Sequence, residues 1–99
     1  MRGLSGWLAR RRVRRLTVGT PPADVMLQSA AVLRHFGARV LRYDMDDGTL
    51  EARLAAGARL LLTAVEETDG THVTLEIDGA DWHGVTRTLA SELTRGGVA

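Results

Sequence analysis

The sequence predicts an α+β domain: a five-stranded antiparallel sheet in the chain order strand, helix, four strands, helix, with both helices packed on one face. Three observations lead there. Short stretches alternate apolar and polar residues, as half-buried strands do. Two longer stretches repeat their apolar residues at helical spacing and must bury that stripe. Brief turns rich in Gly and Asp join the later strands, which makes those neighbours antiparallel.

The elements follow in order. Residues 1–12 form a basic, flexible arm, because Gly3, Ser5 and Gly6 break any helix and Leu4, Trp7 and Leu8 are isolated apolar points. The domain spans 13–96, with 97–99 as a tail. Val13 to Val18 alternates, with Arg14, Leu16 and Val18 on one face and Val13, Arg15 and Thr17 on the other. Gly19-Thr20-Pro21-Pro22 stops the strand and opens a helix over about 21–36, with Thr20 as N-cap, Pro21 at N1 and Asp24 near the positive end. Val25, Met26, Ser29, Val32, Leu33 and Phe36 are its core stripe, and Gly37 follows its last turn.

Four strands come next. Arg39–Asp44 turns through Asp46-Asp47-Gly48 into Thr49–Ala55, which points Leu50, Ala52 and Leu54 inward. Ala56-Gly57 leads to Arg59–Glu67, and Thr68-Asp69-Gly70 is a strong hairpin signal before His72–Asp78, with Val73, Leu75 and Ile77 inward. Asp78 or Asp81 caps the final helix, whose core face is Trp82, Val85, Leu89 and Leu93 and which Gly96-Gly97 ends.

This order resembles one repeat of the TATA-box-binding-protein fold. It also resembles a shortened helix-grip domain of the START type, in which a strand leading into a Pro-containing helix start (Leu16-Thr17-Val18-Gly19-Thr20-Pro21-Pro22-Ala23-Asp24-Val25) and a Gly-Thr-x-Val strand (Gly70-Thr71-His72-Val73) are familiar. Both resemblances cover 13–96 and are topological, so they imply a fold far more than a function. The helix-grip resemblance implies a small-molecule ligand between sheet and helix, for which 99 residues leave little room unless a dimer builds the cavity. A DNA-bending sheet would present apolar wedges and basic or amide side chains, whereas Glu51, Arg53, His72, Thr74 and Glu76 fall on the open face, where carboxylates repel phosphate.

Charge is unevenly divided. Residues 1–15 hold six arginines (Arg2, Arg10, Arg11, Arg12, Arg14, Arg15) and no acid; from Leu16 onward seven arginines stand against all twelve carboxylates, so a +6 head precedes a −5 body and the total is only +1. Lysine and asparagine are absent and Ile77 is the single isoleucine, a bias in keeping with a GC-rich coding sequence. The clustering of six arginines in fifteen residues goes beyond that bias. Arg10, Arg11, Arg12, Arg14 and Arg15, with Trp7 beside them, are the candidate contacts to an anionic partner, either nucleic acid bound without sequence readout or an anionic membrane surface. The competing reading pairs these arginines with acidic residues of the same or a partner subunit.

A second candidate surface lies on the Arg59–Glu67 strand, which is apolar on both faces. An exposed Leu60–Leu62–Ala64 stripe would need cover, which a homodimer supplies; long Arg and Glu stems from adjacent strands are the alternative.

The sequence offers little for catalysis or metals. There is no cysteine, and no apolar run approaches the about 18 residues of a membrane span. RRRVRR interrupts any signal-peptide core, and a cytoplasmic home fits. His35, His72 and His83 share no metal-ligand spacing, Asp44, Asp46 and Asp47 lack the rest of a calcium loop, and Ser5, Ser29 and Ser91 stand in no nucleophile motif. The expectation is therefore a small non-enzymatic binding domain, without cofactor, that self-associates through its sheet and touches an anionic partner through its basic head; an apolar-ligand module or a pure assembly subunit are the alternatives.

Overall fold

A computed structural model describes residues 11–79 and 82–98. The predicted layout is the observed one. Strand β1 (Arg11–Val18) leads through helix α1 (Pro22–His35) to β2 (Arg39–Asp44), β3 (Thr49–Arg53), β4 (Arg59–Glu67) and β5 (Gly70–Asp78), and helix α2 (Trp82–Val98) closes the chain. The sheet order is β1-β5-β4-β3-β2 with every neighbour antiparallel, so β1 and β2 are the two edges and run in the same direction. α1 covers the β2–β4 side and α2 the β1–β5 side, and the two helices meet over the sheet.

The core lies between helices and sheet. Val25, Met26, Ala30 and Leu33 from α1 and Val85, Leu89 and Leu93 from α2 pack on Leu50, Leu60, Leu62, Val73, Leu75 and Ile77. Burying apolar side chains of this size supplies the main driving force for the fold.

Here the structure corrects one expectation. Leu60 and Leu62 are 0% exposed and Ala64 is 4% exposed, so this stripe faces the helices, not solvent. The register explains it: Leu60 pairs with Ile77, Leu62 with Leu75 and Ala64 with Val73, all members of the core. Between Arg59 and Glu67 at its ends, β4 turns Leu61, Thr63 and Val65 to the open face, of which Leu61 and Thr63 are half-buried and Val65 is exposed. A self-association surface on Leu60, Leu62 and Ala64 is thereby ruled out by their burial.

Other boundaries shift for local reasons. β1 begins at Arg11, two residues before the expected Val13, because its pairing with β5 continues to Arg11 opposite Asp78. Thr20 does not cap α1: Pro21 is the N-cap, Pro22 takes N1, and the Thr20 carbonyl instead accepts a 2.5 Å hydrogen bond from the buried Thr71 hydroxyl on β5. That bond ties the β1–α1 corner to the sheet, while the Thr20 Oγ1 expected to cap the helix is buried without a hydrogen-bond partner. At the other end α1 finishes in a Schellman arrangement, with the Ala38 N–H bonded to the Leu33 carbonyl and the Gly37 N–H to that of Arg34, both at 2.9 Å. Gly37 adopts φ 81°, and the turn leaves Phe36, expected on the core stripe, 44% exposed. α2 runs through Gly96-Gly97 to Val98, so those glycines do not end it. The Asp81 cap lies outside the described residues, as do the arm residues Trp7 and Arg10 and the Trp82 side chain.

Candidate anion-contact surface and open sheet face

β1 is an edge strand, and alternation divides its arginines between two faces. Arg12 and Arg14 share the helix side with Leu16 and the buried Val18, whereas Arg15 stands on the open face with Val13 and Thr17. Arg12, Arg14 and Arg15 are all exposed. The expected basic cluster is thus present as part of the folded sheet but split, and it is not a free arm from Arg11 onward.

On the helix side Arg14 meets α2. With Arg87, Ala90, Ser91, Thr94 and Arg95 it lines an open groove of about 480 Å³. Arg95 is engaged, its Nη1 lying 3.3 Å from Glu92 Oε2. Among the described residues, Arg14 and Arg87 have no carboxylate partner. Sequence reasoning missed Arg87 and Arg95. Their eight-residue separation with Ser91 midway does put them on one helical face, but only the docking of α2 on β1 brings them to Arg14.

On the open face, the register arranges side chains in rows across the strands. The first row passes through positions 78, 59, 53 and 39, where Asp78, Arg59, Arg53 and Arg39 are consecutive cross-strand neighbours. Like charges directly opposite one another destabilise a sheet, so the three neighbouring arginines carry a local cost. Arg59 lessens it through an ion pair with Glu51, while Arg39 and Arg53 have no carboxylate partner among the described residues. In the second row Leu61 lies between Glu76 and Glu51, and the third carries Arg15, Thr74, Thr63, Thr49 and Asp44. The fourth sets Thr17, His72 and Val65 side by side.

The opposite end of the sheet is acidic. Since β2 and β4 run in the same direction, their hairpins emerge together, one bearing Asp44, Asp46 and Asp47 and the other Glu66, Glu67 and Asp69. Here Arg42 Nη2 is 3.5 Å from Asp44 Oδ2 and 3.9 Å from Asp47 Oδ2, and His72 Nε2 is 2.8 Å from Asp69 Oδ1.

The Asp47 backbone N–H donates to Asp44 Oδ1 at 3.0 Å, and this bond, helped by Arg42, holds the Asp44 carboxyl below the ordinary carboxylate value. A group whose pKa is depressed in the folded state contributes stability above its unfolded pKa, and loses it as pH falls through the folded one. Asp44→Asn is therefore expected to flatten the loss of stability below about pH 4, the usual carboxylate range. Urea midpoints measured down the acid range for both proteins check this; equal slopes would remove Asp44 from the acid response.

Among the described residues no group of three His, Asp or Glu side chains is placed to hold a metal ion, and no helix is long and apolar enough to cross a membrane. His35 lies edge-on to Phe36 at the end of α1, far along the chain from His72, and the His83 side chain is outside the described residues. Compared with models of known protein families and with curated proteins, the chain matches none.

Proposed function

We propose that this chain is a binding domain, not an enzyme, which contacts a phosphate-bearing polyanion through the arginines of its first strand and associates with a second copy through its sheet. The observation that carries the first half is the ordered edge strand with Arg12, Arg14 and Arg15 exposed and Arg87 and Arg95 across the groove from Arg14. Arginines on a strand present their guanidinium groups in a fixed pattern and bind phosphate oxygens bidentately. Because they touch backbone phosphates, they bind without reading sequence. The space between helices and sheet, where a helix-grip ligand would sit, is filled by Met26, Leu33, Leu62, Leu75 and Leu89, each fully buried.

The test is a salt titration of binding to a labelled duplex and, in a second arm, to vesicles containing phosphatidylserine. Three engaged arginines, Arg14 and Arg87 with one neighbour, give a log–log slope of about −2.7 on duplex DNA, at about −0.9 per phosphate neutralised. Arg14→Ala with Arg87→Ala is expected to weaken binding and to shallow that slope by up to about 1.8. Substitutions serve better than truncation at Val13, which would remove the Arg11 and Arg12 pairings from the sheet. A preference for vesicles would place the partner at a membrane surface; no binding in either arm at low salt would overturn the reading.

A further inference from the structure

We infer that two copies of this chain stack their open sheet faces antiparallel, so that the arginine row of each lies over the acidic hairpins of the other. This rests on the self-association reading above and names its geometry. The carrying observation is the polarity of the sheet: Arg39, Arg53 and Arg59, with Asp78 beside Arg59, occupy one end of the open face, and Glu67 and the turn bearing Asp46 and Asp47 lie at the other end of the sheet. Along β4, from Arg59 to Glu67, the two ends are about 26 Å apart at about 3.3 Å per residue. A two-fold axis across the strands at the level of Thr63, on the central strand, reverses the rows of the partner. Arg59 then faces Glu67 of the second copy, and Arg39 and Arg53 face its Asp46–Asp47 turn.

The middle of the face suits the same axis. Leu61 comes opposite Val65 of the second copy and Thr63 opposite its own counterpart. A small apolar patch is thus enclosed by charge, as in a protein interface with an apolar centre and polar rim. The twist between stacked sheets, about −30°, carries the edge residues Arg15 and Asp44 away from their own copies. Turning the axis along the strands would instead set arginine row on arginine row and acidic hairpin on acidic hairpin, which costs rather than stabilises. Five strands at about 4.8 Å spacing and about 26 Å length give roughly 600 Å² in plan, near the about 800 Å² per partner of a standard interface.

Sedimentation equilibrium of the full chain tests the arrangement. A dimer whose dissociation constant rises with salt is expected. Arg39→Glu with Arg53→Glu, and separately Asp46→Arg with Asp47→Arg, should each weaken self-association by about tenfold or more, because both of these contacts of the homodimer become like-charged. An equimolar mixture of these two variants should regain dimerisation, since opposite signs then meet at both ends; that recovery also shows that the variants fold. A chain that stays monomeric at low salt would overturn self-association altogether. A dimer that neither reversal weakens, or that salt strengthens, would keep self-association and overturn the antiparallel stacking.

Discussion

Leu62→Ala is expected to cost about 2–5 kcal/mol of stability, whereas Leu61→Ala, its neighbour on β4, is expected to cost less than about 1. The two side chains are alike in chemistry and differ in the face they occupy. Leu62 is fully buried, with Leu50 and Leu75 as its cross-strand partners, and its truncation leaves a cavity that the surrounding core cannot close. Leu61 is half-buried on the open face between the stems of Glu51 and Glu76, where the neighbouring side chains and water can adjust. A domain of this size has about 5–15 kcal/mol in total, so the Leu62 variant should lose a large fraction of it. Urea unfolding of both variants measures the contrast. A reversed contrast, with Leu61→Ala the more severe, would mean that β4 is paired one residue out of phase, because a one-residue slip exchanges the faces.

Gly48→Ala is expected to be the second severe change. Gly48 ends the β2–β3 turn at φ 68° and is buried, and a Cβ there would run into the carbonyl oxygen of Ala64. The Ala64 N–H donates to the Gly48 carbonyl at 2.8 Å, so the contact is backbone against backbone and no side chain can rotate out of the way. Strain at a left-handed position alone is of order 1–3 kcal/mol, and displacing the hairpin from β4 adds to it. The control is Gly84→Ala in α2, where nothing lies within 4 Å of a new Cβ and alanine is the better helix former by about 1 kcal/mol. Thermal melts of the two variants should move in opposite directions, by about 4–8 °C per kcal/mol for a domain this small. A Gly48→Ala protein that melts with the wild type would mean that the hairpin does not rest on β4.

The arginines on β1 and the charges along the sheet interact through solvent, and their effects belong to association more than to folding. Exposed ion pairs such as Arg95–Glu92 contribute little to stability, and salt screens them. The same exposure leaves Arg14, Arg39 and Arg53 accessible to a partner. A charge pattern on a rigid sheet chiefly sets orientation and encounter rate, and this is why the proposed tests vary salt and charge sign.

Local patterns along the chain determined much of this protein. Alternation in Thr49–Arg53 and Gly70–Asp78, helical spacing of Val25, Met26, Ser29 and Leu33, and the turns at Asp47-Gly48 and Asp69-Gly70 specify the elements, their order and the inward residues of β3 and β5. The acidic turns and the basic first strand were equally legible, because charge is read directly from composition. Only the tertiary structure decided the phase of β4. A strand apolar on both faces carries no alternation to orient it, so its inward side is chosen by the register with Leu75 and Ile77 on β5. Thr20 is a second case: local sequence favours it as the cap, but the helix takes Pro21 as its N-cap and the Thr20 carbonyl bonds Thr71, distant in the chain. The grouping of Arg14 with Arg87, and of Arg39 with Arg53 and Arg59, belongs to the same class. Spacing within one element fixes which residues share a face, but which faces meet depends on how the elements pair and dock, and that is settled by the burial of the whole core.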